Sequence, residues 1–190
     1  EFIQSRSRAT TSMSASEGPL MLDAPDRTHL FMSHAPSDWA LAEWLTLRLT
    51  TEGYRVWCSR FPMLGGERFP RDVSSAIRER VFHVLALLSH ASLSTSTADD
   101  MRELALAVAR ERGVDFLIGL TVDDPDSMAP DPALRHLPCV PFHDRWETGF
   151  AGLVTMLRAL EAPRPLVNGA EVAMEARQFL SSRRSWHTVL

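Results

Sequence analysis

The stretch VFHVLALLSHASLSTSTADDMREL, Val81 to Leu104, decides the reading of this chain. Its first nine residues form a nearly continuous apolar run, as a central parallel strand buried on both faces requires. His83 inside the run reads as a core histidine. A polar loop, SHASLSTSTADD, follows, and then a segment with helical spacing. Met101, Leu104, Ala105 and Val108 predict its buried stripe at about 100° per residue. Thr97 and Asp100 have the spacing of a capping box, and Asp99 and Asp100 suit the positive end of the helix dipole. Glu103 is one turn too deep to cap. It points nearly opposite the stripe, and its i+3 and i+4 neighbours are Leu106 and Ala107. Such a carboxyl beside apolar surface is expected to be partly desolvated.

Working outward, strands and helices alternate. HLFMS (His29–Ser33) is a short apolar strand, and Ser37 is placed to cap the helix carrying Leu41, Trp44, Leu45 and Leu49, which Gly53 ends. YRVWCS (Tyr54–Ser59) is a second strand. RFPMLGGERFP (Arg60–Pro70) is a loop by its prolines and paired glycines. Val73, Ala76 and Ile77 lie on one face of a short helix over 72–80. DFLIGLTV (Asp115–Val122) is a fourth strand, a Pro/Asp-rich connection spans 123–138, and CVPF (Cys139–Phe142) is a fifth strand whose Pro141 marks an edge. Phe150, Leu153, Val154, Leu157 and Leu160 mark a last helix. The alternation predicts an α/β, flavodoxin-like three-layer fold: a five-stranded parallel sheet of order 2-1-3-4-5 flanked by helices. Residues 1–27 read as a flexible leader and 28–161 as the domain. Residues 162–190 read as a helical extension or a linker to a partner domain.

Composition narrows function. Net charge is −4, so the electrostatic footprint of direct nucleic-acid binding is missing. No apolar run approaches 18 residues, so no membrane-spanning helix is expected, and a cytoplasmic setting is. Cys58 and Cys139, both in apolar strands, read as buried free thiols, and no metal site is expected. In a sheet of this order, ligands bind beyond the carboxyl ends of the strands, where strands 1 and 3 diverge. The loops SHAPSD and SHASLSTSTADD meet there. A phosphate-accepting receiver domain of the same order would need an aspartate at the end of strand 3 and an acidic pair after strand 1. This chain has Ser89 and Ser33–His34 at those places.

Together, FMSHAPSDWALAEWLTLRLTTEGYRVW, MLGGERF, SSAIRERVFHVLALLS and REL resemble the Toll/interleukin receptor (TIR) domain in its bacterial form. The residues that carry the likeness are Phe31, Ser33, His34, Asp38 and Ala40, then Gly53, Tyr54, Val56 and Trp57, then Leu88 and Ser89. The resemblance implies cleavage of the nicotinamide–ribose bond of NAD⁺, with NAD⁺ as substrate and no further cofactor. It implies activation by self-association, a fused or separate sensor domain, and work in bacterial immune or stress signalling. The catalytic glutamate falls on Glu103. At the tryptophan position four residues earlier this chain has Asp99. Ser33, His34, Asp38, Trp57, Phe61, Leu64, Gly65 and Asp99 are the implied substrate-binding residues, with Arg68 and Arg71 as weaker pyrophosphate candidates. The alternative is a non-catalytic TIR interaction module working through the RFPMLGGERFP loop.

Overall fold

The computed structural model describes residues 26–124 and 136–187. The leader up to residue 25 and most of the Pro/Asp-rich connection lie outside them. The described strands are β1 (His29–Ser33), β2 (Arg55–Cys58), β3 (Met63–Leu64), β4 (Glu67–Arg68), β5 (Val81–Leu88), β6 (Leu117–Thr121) and β7 (Cys139–Pro141). Five of them form one sheet in the order β2-β1-β5-β6-β7, and every pairing in it is parallel. With the small antiparallel hairpin β3–β4 left out of the count, this is the expected 2-1-3-4-5 order.

Side chains alternate across the sheet, which separates two cores. Leu30, Met32, Leu85, Leu87, Ile118 and Leu120 face one side, where they meet α1 (Trp39–Thr51) and a later helix through Phe150, Leu153 and Leu157. Phe31, Val84, Ala86, Leu88 and Leu117 face the other, against α2 (Val73–Arg80) and the long helix after β5. A strand apolar on both faces must be covered twice, and β5 is.

The polar loop after β5 is more structured than the sequence predicted. It holds a short helix, α3 (His90–Leu93), before α4 (Ser96–Arg112) begins. The capping box lies on α3. The Ser92 backbone N–H donates to Ser89 Oγ at 3.0 Å, and Ser92 Oγ lies 2.9 Å from the Ser89 N–H. Thr97 and Asp100 form no such box. Thr95 occupies the N-cap of α4, and its hydroxyl donates back to the Ala91 carbonyl instead. Gly113 closes α4 at φ 66°, a left-handed cap that glycine adopts without strain.

Two further expectations are corrected. Ser37 caps nothing. Pro36–Asp38 winds into a 3₁₀ turn, and Ser37 Oγ donates to Asp38 Oδ1 at 3.3 Å. Cys139 is exposed, whereas Cys58 is buried, because β7 is an edge strand that turns only Val140 inward.

α5 (Trp146–Ala159) completes the first layer, and α6 (Gly169–His187) lies along α1. The approach is close. A β-carbon on Gly169 would sit 2.0 Å from the Thr50 carbonyl oxygen. The Leu166 N–H donates to the Gly53 carbonyl at 3.0 Å, and Ala162, Ala173 and Ala176 join the same buried cluster as α1.

Candidate functional site

Three of the sequence-predicted residues converge at the carboxyl edge of the sheet. β1 ends in Ser33, which is buried, and His34 follows. His34 Nδ1 donates to the Ala35 carbonyl at 2.8 Å, which leaves Nε2 to accept from Ser59 Oγ at 3.3 Å. Asp38 joins the end of β5 to the same edge. Its Oδ2 accepts from Ser89 Oγ at 2.6 Å. The ends of β1, β2 and β5 are thereby tied together by polar side chains over the point where β1 and β5 diverge.

Sequence reasoning missed half of this network. Ser89 joins two jobs, the α3 cap and the Asp38 contact, and only the motif Leu88–Ser89 pointed to it. Arg102, which the apolar spacing does not single out, is only 4% exposed. Its guanidinium donates to the Ser92 carbonyl and to Asp99, each at 3.0 Å. The buried face of α4 is therefore Ala98, Arg102, Ala105 and Val108, with Met101 and Leu104 half-buried beside it. Beyond β6, Asp123 Oδ2 accepts from both the backbone N–H and Nδ1 of His90, each at 2.7 Å. The His90 backbone N–H is the main reason the Asp123 carboxyl is held below the usual carboxylate range.

Glu103 follows from that rotation. It is exposed, on the third turn of α4, and the desolvation expected from Leu106 and Ala107 is not realised. Both of those neighbours are half-buried. Asp99 is spent on Arg102, with its own side chain 58% exposed.

The other predicted residues lie elsewhere. Phe61 is buried in the α1 core. Trp57 is 5% exposed, stacked on His29 at 4.0 Å with the Arg80 guanidinium above it, and its indole N–H is buried without a partner among the described residues. Leu64 and Gly65 belong to a hairpin that folds back along edge strand β2. A small cavity there is lined by His29, Arg55 and Trp57 together with Leu64 and Gly65. The hairpin is tied by Glu67, whose carboxylate takes His29 Nε2 at 2.6 Å and Arg80 at 2.7 Å. Burial pushes Glu67 up, but the bonds from His29 and Arg80 outweigh it, so its carboxyl lies below the ordinary value. Burial also pushes the His29 imidazole below its ordinary value, against the opposing pull of Glu67. Arg68 and Arg71 are exposed.

Among the described residues no cluster of histidine, cysteine and acidic side chains could hold a metal ion, and no helix is long and apolar enough to cross a membrane.

The comparisons agree with this architecture. One curated relative, the uncharacterised protein y4cD of Sinorhizobium fredii (strain NBRC 101917 / NGR234), is 30% identical over 154 residues, which cover 78% of this chain and 24% of the relative. The chain thus spans about a quarter of that protein's length. The family model described as the TIR domain matches residues 30–154, from within β1 to within α5. With the sheet order, the Phe31–His34 strand end and Ser89 in their places, the chain belongs to the TIR domain family.

Proposed function

We propose that this TIR domain cleaves the nicotinamide–ribose bond of NAD⁺ when assembled with copies of itself, giving nicotinamide and ADP-ribose or its cyclic form. The supporting observation is the polar network at the carboxyl edge. His34 bonds Ser59, Asp38 bonds Ser89, and Glu103 stands solvent-facing on α4, which follows the same central strand after α3. In this reading Glu103 is the catalytic residue. Nicotinamide departs from a pyridinium as a neutral amine, so no general acid is needed. Positive charge develops on the ribose, as in glycoside hydrolysis, and one carboxylate near C1′ stabilises it. His34 and Asp38 offer polar contacts for ribose hydroxyls.

Exposure gives self-association a physical reason. Opposite charges at 4 Å attract by about 1 kcal/mol in water but about 4 kcal/mol near a protein surface of lower effective dielectric. A neighbouring protomer that covers Glu103 moves it from the first setting towards the second. Bacterial immune or stress signalling through a sensor domain elsewhere in a longer chain fits this reading.

Two observations favour a second reading, a non-catalytic interaction module. Asp99 stands where the family's tryptophan is expected, and Trp57 and Phe61 are core residues that offer no stacking face. Nicotinamide release from NAD⁺ at rising protein concentration separates the two. Release that climbs more steeply than concentration supports the enzyme. Concentration-dependent self-association without release supports the module.

A further inference from the structure

A cavity of about 1120 Å³ opens at the amino edge of the sheet, between the starts of β5 and β6 and the carboxyl ends of α4 and α5. His83 stands in its wall, and the extended chain from there to Ser89 spans about 20 Å. The cavity is therefore at the opposite end of the central strand from the candidate site, and it has room for a small organic ligand. Charge in its wall is unbalanced. Arg27, Arg110 and Arg112 line it, against one carboxylate, Asp115. Glu111 is turned to Arg78 instead. Arg112 is anchored by the Val81, Ile77 and Arg78 carbonyls, with its guanidinium 4.4 Å from the centre of the Phe116 ring. Burial, and after it the charge of Arg27, push the Arg112 guanidinium below its ordinary value. Cationic groups gathered in a partly desolvated wall repel one another and attract an anion.

Two polar atoms of the same wall lack partners. Arg27 Nε and His83 Nδ1 are buried and unbonded among the described residues, and His83 as a whole is 7% exposed. Buried polar atoms are nearly always partnered, so a pair of orphans in one cavity points to a ligand that completes them. The remaining wall is apolar: Phe82 and Leu106 are half-buried, and Leu160 is 40% exposed. We propose that this cavity binds a small phosphate ester. Its phosphate lies between Arg27 and Arg110, beside the fixed charge of Arg112, and its apolar or aromatic body lies against Phe82, Leu106 and Leu160. Three guanidiniums less one carboxylate leave two positive charges. A phosphate monoester carries about −1.5 to −2 at neutral pH, which matches them better than the single charge of a carboxylate. Guanidinium forks also fit phosphate oxygens pairwise.

The test follows backbone amide shifts by NMR as phenyl phosphate, benzoate or inorganic phosphate is added to wild type, Arg27→Gln and Arg110→Gln. Arg110 is exposed, so its variant keeps the test open if Arg27→Gln disturbs the entry to β1. Phenyl phosphate should move the amides of Phe82–Val84 and Gly113–Phe116 and leave Ser33 and Ser89 in place. It should saturate with a Kd of about 1 mM or tighter and bind about fivefold or more tighter than benzoate or inorganic phosphate. Either substitution should weaken it by about fivefold to tenfold. No saturable shift at the amino edge up to about 10 mM overturns the site. Equal binding of benzoate overturns the phosphate, equal binding of inorganic phosphate overturns the apolar body, and unchanged affinity in both variants overturns the arginines. Nicotinamide release is not the readout, so each outcome is independent of what Glu103 does.

Discussion

Ser89→Ala removes one oxygen that does two structural jobs. Ser89 Oγ accepts from the Ser92 N–H at 3.0 Å and donates to Asp38 Oδ2 at 2.6 Å, and both serines are buried. Losing an N-cap hydroxyl costs about 1 kcal/mol. Here the orphaned Ser92 N–H has no water to turn to, which places the cost in the upper half of that range. A hydrogen bond to a carboxylate contributes about 1.5–3 kcal/mol when sheltered. Asp38 is half-buried, so solvent replaces much of it and about 1 kcal/mol remains. The sum is about 2–3 kcal/mol. At about 2–4 °C per kcal/mol for a chain of this size, Tm falls by about 4–12 °C. Calorimetry of Ser89→Ala, Asp38→Ala and the double variant measures both terms. The cycle should return a coupling of about 1 kcal/mol. A Tm loss under 2 °C, or no coupling, would refute the reasoning that Ser89 ties the crevice together.

Gly169→Ala places a β-carbon 2.0 Å from the Thr50 carbonyl oxygen, so α6 must move off α1; a loss of about 2 kcal/mol or more is expected in chemical denaturation, and a neutral result would mean that α6 does not pack there. Burial pushes both His29 and His83 below the ordinary histidine value. The stability they contribute is present above about pH 6.5 and is lost as pH falls from there through their folded values, because the unfolded chain then binds more protons. A Tm profile should therefore be level near pH 7.5 and decline below about pH 6.5, ahead of Glu67 and Asp123, and a Tm that rises between pH 7 and 5.5 contradicts this. Of the two cysteines, Cys139 should react with a thiol reagent in the folded protein, slowly because partial burial raises its thiol, and Cys58 only after unfolding.

The sheet was legible because its signals are strong. An apolar run such as Val81–Leu88 admits few readings, and glycines at 53 and 113 end helices at the expected places. Ser33, His34 and Asp38 were legible for a topological reason, since any residue just past β1 lies at the carboxyl edge. What failed depended on side-chain partners that apolar periodicity does not reveal. Arg102 becomes a buried residue only because the Ser92 carbonyl and Asp99 receive its guanidinium. That rotation leaves Glu103 in water. Trp57 meets His29 across the β1–β2 pairing, and the Glu67 bridge that seats the hairpin joins residues 38 and 13 positions apart. No local window contains those pairs. The α3 cap was missed because Ser89–Ser92 is a weaker sequence signal than the acidic Thr97–Asp100 spacing.

The central claim is that Glu103 performs NAD⁺ cleavage, and one comparison tests it most directly. Nicotinamide release is measured at high protein concentration for wild type and Glu103→Gln, with Tm recorded for both. Because Glu103 is exposed, the substitution should leave stability within about 0.5 kcal/mol while lowering release by about 10²-fold or more. Equal release from the two proteins, or none from either under conditions where the domain self-associates, would contradict the account.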